Sequence, residues 1–238
     1  KIDRQINYEA ELAATEKFRI ADLGKLLTNK SFLYITLLCV TFYSAVFPFV
    51  KYAPDLLVNK FGMDIQQAGW ITSILPFGTI LFTPLFGLYT DNRGKSASLM
   101  IYGSILLVIV HLIFALTRIN PYVPMFMLGV AFSLIPAAMW PSVAKIVPEN
   151  RLGSAYGLMF SIQNIGLWAF PILIGKVLDM SNLGVTPETL KAGTATYDYT
   201  NPVLMLAVLG LLGVVFALLL KKEDKTSGYG LERPNKTD

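Results

Sequence analysis

The chain has 238 residues, of which 54% are hydrophobic and only 15% are charged, with a formal net charge of +4. Soluble domains usually carry about 25% charged residues, so this composition argues against a soluble protein. The single cysteine, Cys39, excludes an internal disulfide. The sequence contains no phosphate-binding loop, no nucleophile elbow and no cluster with metal-ligand spacing. We therefore predict no enzyme activity, cofactor or metal site, and no nucleic-acid partner.

Six stretches without Asp, Glu, Lys or Arg follow one another along the chain, each 20 to 26 residues long. About 20 apolar residues form a helix that crosses a bilayer core of about 30 Å, so each stretch predicts a spanning helix. The stretches are apolar on every side, whereas the strands of a transmembrane β-barrel alternate polar and apolar residues. We predict an all-α membrane protein in a lipid bilayer, with helices near 32–59, 65–90, 96–118, 121–147, 150–179 and 200–221.

The segments outside the six spans differ in character. Residues 1–30 mix charged residues with apolar ones at helical spacing, which predicts a cytoplasmic inter-half loop with a short interfacial helix. Residues 31–221 form the predicted six-helix domain. Residues 222–238 are polar and rich in lysine, which predicts a disordered cytoplasmic tail.

The basic residues are divided unevenly between the two sides of the predicted membrane. Six spans place both chain ends on one side, and that side carries 15 of the 20 Lys and Arg residues. Because loops rich in Lys and Arg stay in the cytoplasm, both termini are predicted to be cytoplasmic.

The loop after the second span contains Gly87, Asp91, Arg93, Gly94 and Lys95. We call residues 87–95 the signature loop. A glycine inside the span allows close helix contact, and the aspartate is placed to meet the positive N-terminus of another helix. The second glycine permits a tight turn, and the two basic residues hold the loop at the cytoplasmic face. A short inner loop of any membrane protein is also rich in these residue types.

A second motif joins the fourth and fifth spans. It contains a Pro-Glu pair ending at Glu149, then Arg151, then a Gly-x-Ala-x-Gly run from Gly153 to Gly157. Together with the signature loop, this junction resembles the major facilitator superfamily, and the resemblance covers the chain from about Ser31 to Leu220. It implies that the spans correspond to helices seven to twelve of a transporter. The expected partner is then a missing N-terminal six-helix half.

Shorter motifs resemble one branch of that superfamily, the lysosomal dipeptide transporters. They are the run Phe47-Pro-Phe49, the pair Trp140-Pro141 and the stretch 156–166. The resemblance implies movement of dipeptides or amino-acid-like zwitterions by alternating access. It implies a multi-pass protein of the lysosomal membrane if the source is eukaryotic, or of the cell inner membrane if it is bacterial.

Transporters of this kind bind their small-molecule substrate near the bilayer midplane, between two halves. Amides at that depth could bind a peptide backbone, and aromatic rings could form the walls of the site. The alternatives are interhelical hydrogen bonds for the amides and core packing for the rings. The candidate substrate-binding residues are Tyr43, Phe47, Trp140, Gln163, Asn164 and Trp168.

Two ionisable residues in the spans are expected to have supporting roles. Lys51, at the outer end of the first span, is expected to extend to the interface, and a neutral His111 is expected to bond to a neighbouring helix. No Asp or Glu lies at mid-membrane depth, which slightly favours a uniporter. Two rival hypotheses remain open. One is a self-contained six-helix homodimeric carrier or channel, and the other is a transporter-like subunit that acts by binding a partner protein.

Overall fold

The computed structural model describes residues 20–235, and every regular element within that range is helical. The helices are α1 Ile20–Thr28, α2 Lys30–Phe61, α3 Ile65–Arg93, α4 Ser96–Leu116, α5 Tyr122–Ile146, α6 Leu152–Ser181, α7 Pro187–Lys191 and α8 Thr200–Ser227. A 3-10 turn at Glu149–Arg151 precedes α6. Six of these helices, α2 to α6 and α8, are long and apolar enough to span a membrane. The six-span, all-α prediction is therefore confirmed.

Short polar connections determine where the first spans begin and end. The Asn29 side chain accepts a hydrogen bond from the Phe32 amide at 3.1 Å and caps the start of α2. Gly62 ends that helix with a left-handed φ of 67°. Asp64 then caps α3 by accepting from the Gln67 amide at 2.8 Å. Because only three residues separate α2 from α3, the two helices form a tight hairpin.

The core lies around α2, which packs against α3, α5, α6 and α8. The last span, α8, fits between α2 and α4, and two glycines allow this close approach. A Cβ atom at Gly210 would lie 2.8 Å from the Val108 side chain of α4. One at Gly213 would lie 3.4 Å from Ser104 of α4 and 3.6 Å from Thr41 of α2. Small residues therefore bring the three helices together.

The six spans are buried to very different extents within the bundle. In α2 and α5, 67% and 61% of the most apolar window is buried, whereas in α3 and α6 only 22% is buried. The uncovered sides of α3 and α6 are strongly apolar. They include Ile80, Leu81, Leu85, Ile165, Trp168 and Ile172.

Residues 222–235, for which the sequence predicts a disordered tail, make specific contacts with the rest of the bundle. The last span continues to Ser227, and residues 228–235 fold back onto the face of the bundle that carries α1 and the signature loop. We call residues 228–235 the C-terminal strap and this face the terminal face. Polar composition predicted disorder, but the polar groups have partners far away in the sequence. Residues 1–19 of the predicted inter-half loop and 236–238 of the tail lie outside the described range.

Candidate functional site

Aromatic side chains of α2 and α5 meet in the middle of the bundle. Tyr43 and Phe47, one turn apart on α2, stack with ring centroids 5.6 Å apart and an interplanar angle of 9°. Phe132 of α5 lies edge-on to both rings, at 5.9 and 5.6 Å. The Trp140 Nε1 atom of α5 donates a hydrogen bond to the Tyr43 hydroxyl at 3.2 Å. This bond satisfies the polar ends of a buried tyrosine and a half-buried tryptophan.

The same cluster continues onto α6 through Trp140. The Trp140 ring stacks on Phe160 at 4.9 Å, and the Tyr156 hydroxyl donates to the Trp140 carbonyl at 3.0 Å. Tyr43 is buried, whereas Phe47 and Phe160 are each 46% exposed. One side of this group of rings is therefore uncovered. We call this set the aromatic cluster. Its members are Tyr43, Phe47, Phe132, Trp140, Tyr156 and Phe160.

The two neighbouring amides of α6 occupy different environments. Gln163 is buried against α2, where its Oε1 atom accepts a hydrogen bond from Cys39 Sγ at 3.4 Å. Asn164 is exposed, and its Nδ2 atom donates to the Phe160 carbonyl at 2.7 Å. Within residues 20–235 its amide oxygen has no hydrogen-bond donor. Trp168, one turn further along this uncovered side, is 70% exposed.

The predicted site residues therefore fall into three groups. Tyr43 contacts both Phe47 and Trp140. Asn164 and Trp168 are exposed on α6, one and two turns beyond Phe160. Gln163 belongs to the α2–α6 contact. Phe132 belongs to the same group of rings but was not predicted from the sequence. Phe132 and Trp140 are eight residues apart, which places them on one helix face, and that spacing could have identified the pair.

Two ionisable residues of the spans, Lys51 and His111, have contrasting environments. Lys51 is exposed at its position in α2. His111 is fully buried, with its Nδ1 atom 2.9 Å from the Leu107 carbonyl and its ring edge-on to Phe49. His111 therefore packs between α4 and α2, away from the aromatic cluster.

The signature loop is turned by two consecutive residues with positive φ, Gly94 at 71° and Lys95 at 65°. The Asp91 Oδ1 atom accepts a hydrogen bond from the Asn235 side chain of the C-terminal strap at 3.0 Å. The Gly87 carbonyl accepts a hydrogen bond from the Thr90 hydroxyl at 2.8 Å. Arg93 is exposed.

In the second motif, Glu149 and Arg151 form the 3-10 turn before α6. Glu149 and Gly153 are exposed, and a Cβ atom placed at Gly153 would meet nothing within 4 Å. The start of α6 therefore presents a small-residue surface that no described part of the chain covers.

Comparison with known proteins identifies the family. The model of the Major Facilitator Superfamily matches residues 32–236. The lysosomal dipeptide transporter MFSD1 of Mus musculus is 39% identical over 168 residues, covering 69% of this chain and 36% of that protein. For the Gallus gallus protein of the same name the identity is 37% over 173 residues, covering 71% and 39%. For the Homo sapiens protein it is 39% over 145 residues, covering 61% and 31%. The chain spans about a third of the length of the curated relatives that it matches. It belongs to the Major Facilitator Superfamily.

Proposed function

We propose that these six helices form one half of a transporter that moves dipeptides or amino-acid-like zwitterions by alternating access. The observation that carries this proposal is the aromatic cluster, which opens toward the uncovered side of α6 beside Asn164. The MFSD1 relatives are named as dipeptide transporters, which supports the same substrate class.

The chemistry of the cluster suits a peptide of variable side chains. Aromatic rings provide broad apolar walls, and the face of Trp140 or Phe160 attracts an α-ammonium group through cation–π interaction. The free amide oxygen of Asn164 is placed to accept a hydrogen bond from a peptide N–H. Such a site orients a substrate with few polar contacts and leaves no unpaired charge buried in this half.

We propose that a second six-helix unit covers α3 and α6 and supplies charged contacts for the peptide termini. A cleft of about 390 Å³ lies between α1 and α6, lined in part by Leu23, Gly153 and Gly157. A Cβ atom at either glycine would meet nothing within 4 Å, which leaves space for another helix to approach closely. The uncovered faces of α3 and α6 provide an apolar surface for the same contact.

The orientation of the protein is proposed from its basic residues, and its membrane from the names of its relatives. We propose that the terminal face is cytoplasmic, because the connections and chain ends on that side carry most of the basic residues. The named relatives are lysosomal, and we propose the lysosomal membrane for a eukaryotic source and the cell inner membrane for a bacterial one.

Substrate binding is tested in the full-length transporter that contains this chain. Thermal stabilisation is measured with a panel of dipeptides, free amino acids, sugars and organic acids. Asn164→Leu and Trp140→Ala should each weaken dipeptide binding. Loss of one hydrogen bond corresponds to about 0.5–1.5 kcal/mol, or a few-fold to about tenfold in affinity.

Gln163→Leu is the matched control, since Gln163 carries an amide next to Asn164 but faces the interior. It should leave dipeptide affinity nearly unchanged while lowering thermal stability. Stabilisation by sugars or organic acids but by no dipeptide would refute the substrate class and leave the transporter fold intact.

The second unit is tested with Gly157→Leu. The purified chain should tolerate this change, because a Cβ atom at position 157 would meet nothing within 4 Å and the cleft beside it has room for a longer side chain. In the full-length transporter the same change should destabilise the protein and reduce transport. Equal tolerance in both would refute the proposed contact. A stable homodimer of the purified chain that transports dipeptides would favour the self-contained carrier instead.

A further inference from the structure

The C-terminal strap connects several helix ends on the terminal face. The Tyr229 hydroxyl accepts a hydrogen bond from the Asn29 side chain, at the junction of α1 and α2, at 2.9 Å. The Lys145 Nζ atom, near the end of α5, donates to the carbonyls of Gly230 and Arg233 at 3.1 and 2.8 Å. These contacts join segments that are distant in the sequence, so the strap has a defined position on the bundle.

The hydrophobic anchor of the strap is Leu231, which is fully buried in the core. Its amide donates to the Asp224 carboxylate of α8 at 3.0 Å. A buried leucine with a hydrogen-bonded amide is typical of packed structure. Leu231 thus holds the strap in place through both its buried side chain and its hydrogen-bonded backbone amide.

Glu232 caps the start of α4 from outside that helix. One carboxylate oxygen accepts from the Ser98 amide and the other from the Ser98 hydroxyl, both at 2.8 Å. The Nζ atoms of Lys221 and Lys95 lie 3.6 and 3.9 Å from Glu232 Oε2. Lys95, the N-cap residue of α4, makes no side-chain capping bond of its own. The first turn of a helix favours a negative charge, and Glu232 supplies it.

The backbone of the signature loop is fitted to the strap. The Lys95 amide donates to the Glu232 carbonyl at 3.2 Å, and the Ser96 amide donates to the Leu231 carbonyl at 3.0 Å. A Cβ atom at Gly94 would lie 2.4 Å from the Arg233 carbonyl carbon, so only glycine allows this approach. The left-handed backbone of two successive loop residues directs these amides toward the strap.

The strap also reaches the acidic residue of the signature loop. The Asn235 side chain donates to Asp91 Oδ1 at 3.0 Å, and its amide donates to the Thr90 carbonyl at 3.3 Å. We propose that the C-terminal strap sets the position of the signature loop. Glu232 fixes the first turn of α4, and Asn235 orients Asp91. Given the proposed function, the loop then moves with α3, α4 and α8 as one body when this half rocks.

Hydrogen exchange of the purified full chain tests the anchor. Glu232→Gln is compared with Glu223→Gln, which removes the same charge from α8, where the Glu223 carboxylate has no bonding partner among residues 20–235. Exchange of the Lys95, Ser96 and Ser98 amides should be about tenfold faster in Glu232→Gln. The charge-assisted bond to the Ser98 amide becomes a neutral one, and the strap carbonyls that accept from Lys95 and Ser96 are then held less firmly. The control should exchange as the parent does. Equal exchange in both variants would overturn the proposal.

Distances between spin labels show whether the strap positions the signature loop or only caps the start of α4. Labels at the exposed positions 92 and 222, in a Cys39→Ala background, report on the loop relative to α8. The distance distribution should be narrow in the parent and in Glu223→Gln, and broad in Glu232→Gln and in Asn235→Ala. Faster exchange with unchanged distances would mean that the strap caps α4 without positioning the loop, which would also overturn the proposal.

Discussion

Gly166 lies where α6 crosses α2, and its replacement by alanine tests how closely the two helices must approach. A Cβ atom at position 166 would lie 2.3 Å from Ser44 Oγ and 3.1 Å from Val40 Cγ1. Attractive contacts between carbon atoms occur at about 3.5–4.0 Å, so the serine must turn or α6 must move outward. Overpacking of this kind costs about 1–3 kcal/mol.

A second glycine on the same helix provides the control. Alanine at position 157 meets nothing within 4 Å and should gain up to about 1 kcal/mol from helix propensity. Gly166→Ala has the same gain in helix propensity, which offsets part of its overpacking cost and leaves a net loss of about 1 kcal/mol in the free energy of unfolding. The free energies of unfolding of the two variants should therefore differ by about 2 kcal/mol. For a chain of this size that corresponds to about 4–8 °C in Tm.

The measurement is thermal unfolding of the purified full chain in detergent, followed by tryptophan fluorescence. Ser44→Ala removes the hydroxyl nearest to the new methyl group and should restore part of the lost stability in the Gly166→Ala background. The coupling between the two changes should exceed about 0.5 kcal/mol. If Gly166→Ala is as stable as Gly157→Ala, or if Ser44→Ala restores nothing, the close packing of α2 against α6 is refuted.

Three further predictions concern the outer loops and the orientation. Hydrogen bonds from Thr200 hold the pKa of Asp198 below its usual 3.8, so its stabilising effect is present at neutral pH and lost as pH falls below about 4. The Tm difference between Asp198→Asn and the parent should therefore be constant from pH 7 to 5 and shrink below pH 4. Lys60→Met should cost about 1 kcal/mol, measured as Tm, because the ammonium donates to two carbonyls at the end of α4; an unchanged Tm would contradict that cap. Membrane-impermeant thiol reagents should label a cysteine at position 185 from outside and miss one at position 93, and the reverse pattern would refute the orientation.

The six spans could be predicted because lipid imposes a simple requirement on composition. A spanning helix needs about 20 apolar residues, and charged residues separate the six uncharged stretches of the sequence from one another. The ends of α2, α3 and α4 also follow from local signals, such as the glycine at 62 and the aspartate at 64. These signals depend on neighbouring residues, which the sequence shows directly.

The site could be predicted only in part, because helical spacing gives relative directions and not absolute ones. Adjacent residues point about 100° apart, so one of Gln163 and Asn164 had to face inward, but the spacing does not decide which. Packing against Cys39 of α2 decides it. The strap was missed for a related reason. Its polar residues bind groups at positions 29, 91, 98 and 145, and no local pattern contains those pairs.

The place of α8 between α2 and α4 has a consequence for synthesis. During translation the spans α2 to α6 are made before α8, so the groove that later receives its glycines stays open until α8 is inserted. Until then the hydroxyls of Thr41 and Ser104, which α8 covers in the finished bundle, face lipid and are satisfied only by carbonyls of their own helices. Chains interrupted before residue 200 should therefore remain loosely packed and be degraded quickly, whereas chains that lack only the last few residues should persist.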